Sequence, residues 1–169
     1  NAGQPLVLSD TEVEAEALIL RLAGEIAENV FDGGITVETS SIAPFSGIAG
    51  RDLSGAMTLG ASGTIAALSG GFNLTLDGTI DELRIDNEAA DNLMDGRTTI
   101  TGRVERGENG LVTDDLRVAN EQLNLLADGS YATGAADFDF SFNLTDLALI
   151  SEQASGALAA EGRAAGGDG

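Results

Sequence analysis

From Phe72 onward the chain alternates apolar and polar residues with a period of two. Phe72, Leu74, Leu76, Gly78 and Ile80 fall on one side of an extended backbone, and Asn73, Thr75, Asp77 and Thr79 fall on the other. The pattern returns at Leu123, Leu125, Ala127, Gly129 and Tyr131. It is clearest where Phe138, Phe140, Phe142 and Leu144 stand opposite Asp137, Asp139, Ser141 and Asn143. Alternation of this kind predicts strands with one dry and one wet face. Weaker versions predict strands over residues 54–61, 97–106 (Ile100, Gly102, Val104), 116–119 and 155–163. Residues 11–30 carry both periods. Ala15, Leu18, Ile19, Leu22 and Ile26 fit one helical face, yet the middle of the stretch suits a strand, and strand is the reading adopted.

Two short helices interrupt the strands. Asn87 or Asp86 can cap a turn or two carrying Ala89, Ala90, Leu93 and Met94, which Gly96 ends. Pro44 suits the first turn of a second, running through Phe45 and Ile48 to Gly50. Fragments also recur. Asn73-Leu74 to Asp77-Gly78 returns as Asn124-Leu125 to Asp128-Gly129, and Ser54-Gly55-Ala56-Met57 returns as Ser155-Gly156-Ala157-Leu158. With the alternation, these echoes predict an elongated, twisted, mostly antiparallel sheet of about eight or more strands, built by accretion.

Composition narrows the chemistry. There are 28 acidic and 8 basic residues, a formal charge of −20, which disfavours nucleic acid as a partner. Cysteine, histidine and tryptophan are absent, which removes thiol nucleophiles, disulfides, thiolate metal sites and the usual general base. The paired acids Asp81/Glu82, Asp114/Asp115 and Asp137/Asp139 belong to solvated faces and lack the pocket that a glycosidase needs. No calcium-loop motif accompanies them. The expectation is a protein that is not an enzyme, with no catalytic residues, no metal and no cofactor. Gly33-Gly34 and Gly70-Gly71 lack the lysine and helix of a phosphate loop and are expected to be turns. Arg97, Arg103 and Arg106 lie close together; they can touch lipid phosphate, but pairing with strand acids is their ordinary role. No apolar run approaches the ~20 residues of a membrane span.

An ordered series of segments carries a family resemblance. Ala43-Pro44-Phe45 is followed by Ser54-Gly55-Ala56-Met57, Leu74-Thr75-Leu76-Asp77-Gly78, a short helix ending at Asp95-Gly96, and Thr101-Gly102-Arg103-Val104. Ala127-Asp128-Gly129-Ser130-Tyr131, Ala135 to Phe140, and Asp146-Leu147-Ala148-Leu149 complete it. The series resembles the β-rich body of alphaproteobacterial TamB proteins, in the TamB/AsmA-like family (TamB, translocation and assembly module). It covers about 120 of the 169 residues. Residues 41–164 form the matching repeat segment, residues 1–40 a β-rich lead-in that matches only in texture, and residues 165–169 a disordered tail.

The resemblance implies an internal fragment of a periplasmic bridge protein, tethered to the inner membrane through a segment outside this sequence. Its sheet would fold lengthwise into an open trough, taco-like, whose apolar lining conducts phospholipids toward the outer membrane. It also implies support of outer-membrane protein biogenesis with the outer-membrane barrel partner TamA, met through other regions of the parent chain. The lining residues would be Phe72, Leu74, Leu76, Leu123, Leu125, Phe138, Phe140, Phe142 and Leu144, in contact with phospholipid acyl chains. Alternation alone favours a sheet closed on itself as a sandwich; the resemblance favours the open trough. A non-enzymatic extracellular β-protein, such as an autotransporter passenger, shares the acidity, the glycines and the missing cysteine. Its stacked coils of about 20–25 residues fit the long alternating strands poorly.

Overall fold

The computed structural model describes residues 4–15, 17–108, 110–132 and 135–167. Ten strands follow one another: β1 (Leu6–Ala15), β2 (Leu18–Ala27), β3 (Val30–Thr39), β4 (Ser54–Ala66), β5 (Gly71–Arg84), β6 (Arg97–Gly107), β7 (Gly110–Ala119), β8 (Leu123–Ala132), β9 (Ala135–Leu144) and β10 (Leu158–Gly167). They form a single sheet whose spatial order is the chain order. Every pairing is antiparallel, and β1 and β10 remain as edges, so the sheet is neither a barrel nor two stacked sheets. The fold class is mainly β, with only short helices, as the alternation predicts. The stretch 11–30 is strand rather than helix, as read, but it is divided among β1, β2 and the start of β3.

The ends of the chain and the glycine pairs compare with expectation in different ways. The described part of the lead-in is β-rich, as expected, and its last strand, β3, pairs with β4 along its whole length. The expected tail at 165–169 is strand as far as Gly167, where Ala165 pairs with Asp137 and Gly167 with Ala135; residues 168 and 169 lie outside the described residues. Gly33 and Gly34 are not a turn but mid-strand. The turn before them is Glu28-Asn29, both in the left-handed region (φ 51° and 67°), the backbone of a two-residue hairpin that twists with its strands. Gly70 is a turn residue (φ 68°), whereas Gly71 opens β5.

The two ends of the strands differ. Every connection at one end is short, and at the other stand three longer connections, each tied in the same way. An amide donates to the carbonyl of a positive-φ glycine just before or at the start of the next strand: Ile42 to Gly55, Glu82 to Gly96 and Leu147 to Gly156. The echo between Ser54-Gly55-Ala56-Met57 and Ser155-Gly156-Ala157-Leu158 is therefore structural. The Asn73/Asn124 echo is not, since β5 and β8 are three strands apart and run in opposite directions. The first connection holds a 3-10 turn (Ala43–Phe45) and α1 (Ser46–Ala49), stopped by Gly50 at φ 66°. The second holds α2 (Glu88–Leu93), where the Asn87 side chain accepts from the Ala90 amide. Both helices lie where capping chemistry predicts them.

Burial is slight. A compact monomer of this mass exposes about 7,800 Å²; this chain exposes 10725 Å². Among the described residues the buried apolar side chains are Leu123 and Leu144, at the end of the sheet where α2 lies. Thr98, also buried, receives a hydrogen bond from the Asn120 side chain, which also donates to the Leu93 carbonyl at the end of α2 (2.8 Å).

The glycines within strands are set by close approach. A Cβ on Gly33 would stand 2.7 Å from the Gly24 Cα and 2.8 Å from the Phe31 ring, whereas one on Gly34, its neighbour on the opposite face, meets nothing within 4 Å. Gly33→Val should therefore destabilise the protein by about 1–3 kcal/mol through overpacking, while Gly34→Val should be neutral or slightly stabilising. Urea-unfolding midpoints of the two variants check this, and equal midpoints would contradict it.

Candidate functional site

The register carries one apolar face across the whole sheet. Leu20, Val37, Leu59, Gly78 and Ile100 occupy one cross-strand row, which Val118, Leu125, Phe142 and Ala160 continue to β10. The neighbouring row runs through Leu22, Ile35, Ala61, Leu76, Leu116, Ala127, Phe140 and Gly162. A single slip in pairing would turn a strand over. The face survives three irregularities because each adds one residue and restores the phase. Asp10, Glu82 and Asp115 are the extra residues, all at positive φ (44°, 53° and 50°). At the last of these, Asp128 accepts the Asp115 amide (2.6 Å).

All nine residues expected to line a groove lie on this face. Phe72, Leu74, Leu76, Leu125, Phe138, Phe140 and Phe142 are only partly covered, Phe140 being 38% exposed. Leu123 and Leu144 differ: they are 8% and 2% exposed, packed at the α2 end rather than open to a ligand. The face also includes residues that the strongest alternating segments did not reveal, among them Leu20, Leu22, Ile35, Val37 and Leu59. Their signal was present in the parity of β2, β3 and β4, but glycines and threonines dilute it. At the β2–β4 margin a cleft of about 720 Å³ is lined by Leu18, Thr39 and Met57, with Glu14 and Glu38 beside it.

The other face is polar and cross-linked by charge. Arg21 bridges Glu12 and Glu38 across β1, β2 and β3. Arg97 reaches its register partner Asp81 (2.7 Å), and Arg103 donates to the Asn73 side chain (2.9 Å), which in turn donates to Glu105. Each acidic pair singled out in the sequence thus has a local role: Asp81 pairs with Arg97, Glu82 and Asp115 form bulges, and Asp137 pairs with Arg163. The three arginines grouped by sequence do not form one cluster. Arg97 and Arg103 belong to the polar face. Arg106, in register with Phe72 and Leu111, stands on the apolar one.

No helix among the described residues is long and apolar enough to cross a membrane. Compared with known protein families, characterised proteins and solved structures, the chain matches none of them.

The hydrogen bond from Arg163 Nε (2.6 Å) holds the Asp137 carboxyl below its ordinary value, outweighing an opposing loss of solvation, and the arginine's charge adds to it. A depressed carboxylate stabilises the fold above its unfolded pKa of about 3.9, and that contribution disappears as pH falls through the lower folded value. Arg163→Gln should therefore raise the Asp137 pKa, as followed by carboxyl 13C titration. An unchanged titration would show that the pair does not set it.

Proposed function

We propose that this chain is a segment of a periplasmic lipid conduit of the TamB type, in which the apolar face of the sheet carries phospholipid acyl chains toward the outer membrane. The observation that supports this reading is an apolar face that runs across the sheet and is only partly covered along most of its length. Soluble monomers rarely expose contiguous apolar patches beyond a few hundred Å², and each ~100 Å² covered stabilises by about 2.5 kcal/mol. Acyl chains are a suitable cover. They need no hydrogen bonds, fit any side-chain relief, and slide because no polar contact fixes them. With strands about 4.8 Å apart, the face extends roughly 43 Å across the sheet.

In this reading the polar face is turned to water and the ion pairs on it keep the strands in register. The inner-membrane tether lies in a segment outside this sequence, the outer-membrane barrel partner TamA is met through other regions of the parent chain, and the parent protein supports outer-membrane protein biogenesis. An adhesive passenger built as a β-helix requires parallel neighbours, and the antiparallel pairings favour the conduit.

Photo-crosslinkers test it in the intact protein. Placed at Leu74 or Phe140 they should capture phospholipid; at Asn73 or Asp139 they should not. Leu144, being buried, should capture little despite sharing the face. Phe140→Asp sets an unpaired carboxylate among acyl chains, which is costly, so lipid passage should fail while Asp139→Arg leaves it intact. Equal capture from both faces, or none from either, in the folded protein rules out the conduit.

A further inference from the structure

The apolar face has one charged residue, and its surroundings point to a specific ligand group. Arg106 occupies the outermost row at the tight-turn end, opposite in the strands to the end held by α2. Phe72 flanks it on β5 and Leu111 on β7, and the next residue in that row is Tyr131. Arg106 makes no ion pair among the described residues, although the chain has 28 acids, because its register partners are apolar. Tyr131 is 55% exposed. One row inward, between Val104 and Gly129, lies Thr113. It is 9% exposed, and its Oγ1 is buried with no hydrogen-bond partner. A buried hydroxyl without a partner is costly; the buried Thr39 and Thr98 hydroxyls on the same face both have hydrogen-bond partners.

Resting on the conduit reading, we propose that Arg106, Tyr131 and Thr113 form a headgroup subsite that takes the phosphate of a phospholipid while its acyl chains lie on the adjoining apolar rows. A lipid needs both kinds of contact at once, and this margin of the face offers them. Arg106 and Tyr131 present apolar stems and polar tips, the side-chain form suited to a boundary between hydrocarbon and water. Guanidinium matches the geometry of phosphate oxygens and stays charged at any physiological pH. In a protein of formal charge −20, an anion is repelled almost everywhere else, so one unpaired arginine beside apolar surface gives selectivity with a single charge. The phosphate also brings an acceptor for the Thr113 hydroxyl.

The test compares two lipids in the full-length chain. A photo-crosslinker at Leu74, in the row of Val104 and Thr113, is exposed to vesicles containing equal amounts of phosphatidylglycerol and the diacylglycerol with the same acyl chains. The captured lipids are then weighed by mass spectrometry. The unmodified residues should favour the phospholipid by about tenfold, the effect of one charge-assisted hydrogen bond. Arg106→Gln should bring the ratio close to one while diacylglycerol capture persists. Arg117→Gln, on the polar face, should leave the ratio unchanged. Thr113→Val keeps the shape and removes an unpaired hydroxyl, so it should not lower the unfolding midpoint, yet it should reduce the preference. A ratio near one in the unmodified protein, or a ratio unmoved by Arg106→Gln, overturns the subsite and leaves the conduit standing. Capture of neither lipid overturns the conduit, and the subsite with it.

Discussion

A β-sheet satisfies its backbone with its own strands, but a sheet with one apolar face is complete only when something covers that face. In this chain each strand from β1 to β10 is paired with its neighbours, while the side-chain layer on the apolar face is only partly covered. The other features follow from that imbalance. The surface area is well above that of a compact protein of the same mass, and the few fully buried side chains collect at one end. The helices are too short to form a second layer. Stability must then come from backbone pairing, from cross-strand contacts on both faces, and from whatever occupies the apolar side.

The local devices serve the same end. Antiparallel pairing in chain order needs only short connections, and it lets a sheet grow strand by strand without a crossover. Bulges at Asp10, Glu82 and Asp115 increase the local twist without exchanging the faces. The Phe31 ring lies against Gly24 and Gly33, covering backbone where two glycines face each other and filling a gap in the apolar layer. On the wet face, Glu12–Arg21–Glu38 and Asp81–Arg97 fix neighbouring strands by charge. Exposed pairs of this kind contribute little stability each. Their value lies in register, because a slip of one residue would turn carboxylates into the apolar rows.

Much of this was legible along the chain. The alternation from Phe138 to Leu144 identified both strand and face, and the Asn87 cap with Gly96 located α2. The parity of Leu74 and Leu125 placed them correctly together although they lie on strands far apart in sequence. What was hidden has physical reasons. Gly33-Gly34 resembles a turn because glycine permits one, but the left-handed positions were taken by Glu28 and Asn29, whose residue types announce it less clearly. Bulges made by acidic residues at positive φ leave no glycine signature. Burial of Leu123 and Leu144 depends on connections that fold back from distant segments, which no period encodes. Arg106 was grouped with Arg97 and Arg103 by proximity, whereas parity with Val104 already assigned it to the other face.

The central claim, that the apolar face is occupied by lipid hydrocarbon rather than by protein, can be read optically. The chain contains no tryptophan, so Phe140→Trp introduces a single indole on the apolar face and Asp139→Trp a single indole on the polar one. In the full-length protein with phospholipids brominated along their acyl chains, quenching should be strong for Phe140→Trp and weak for Asp139→Trp. An indole at position 140 that brominated lipid cannot quench, or equal quenching at both positions, would contradict a lipid-covered face.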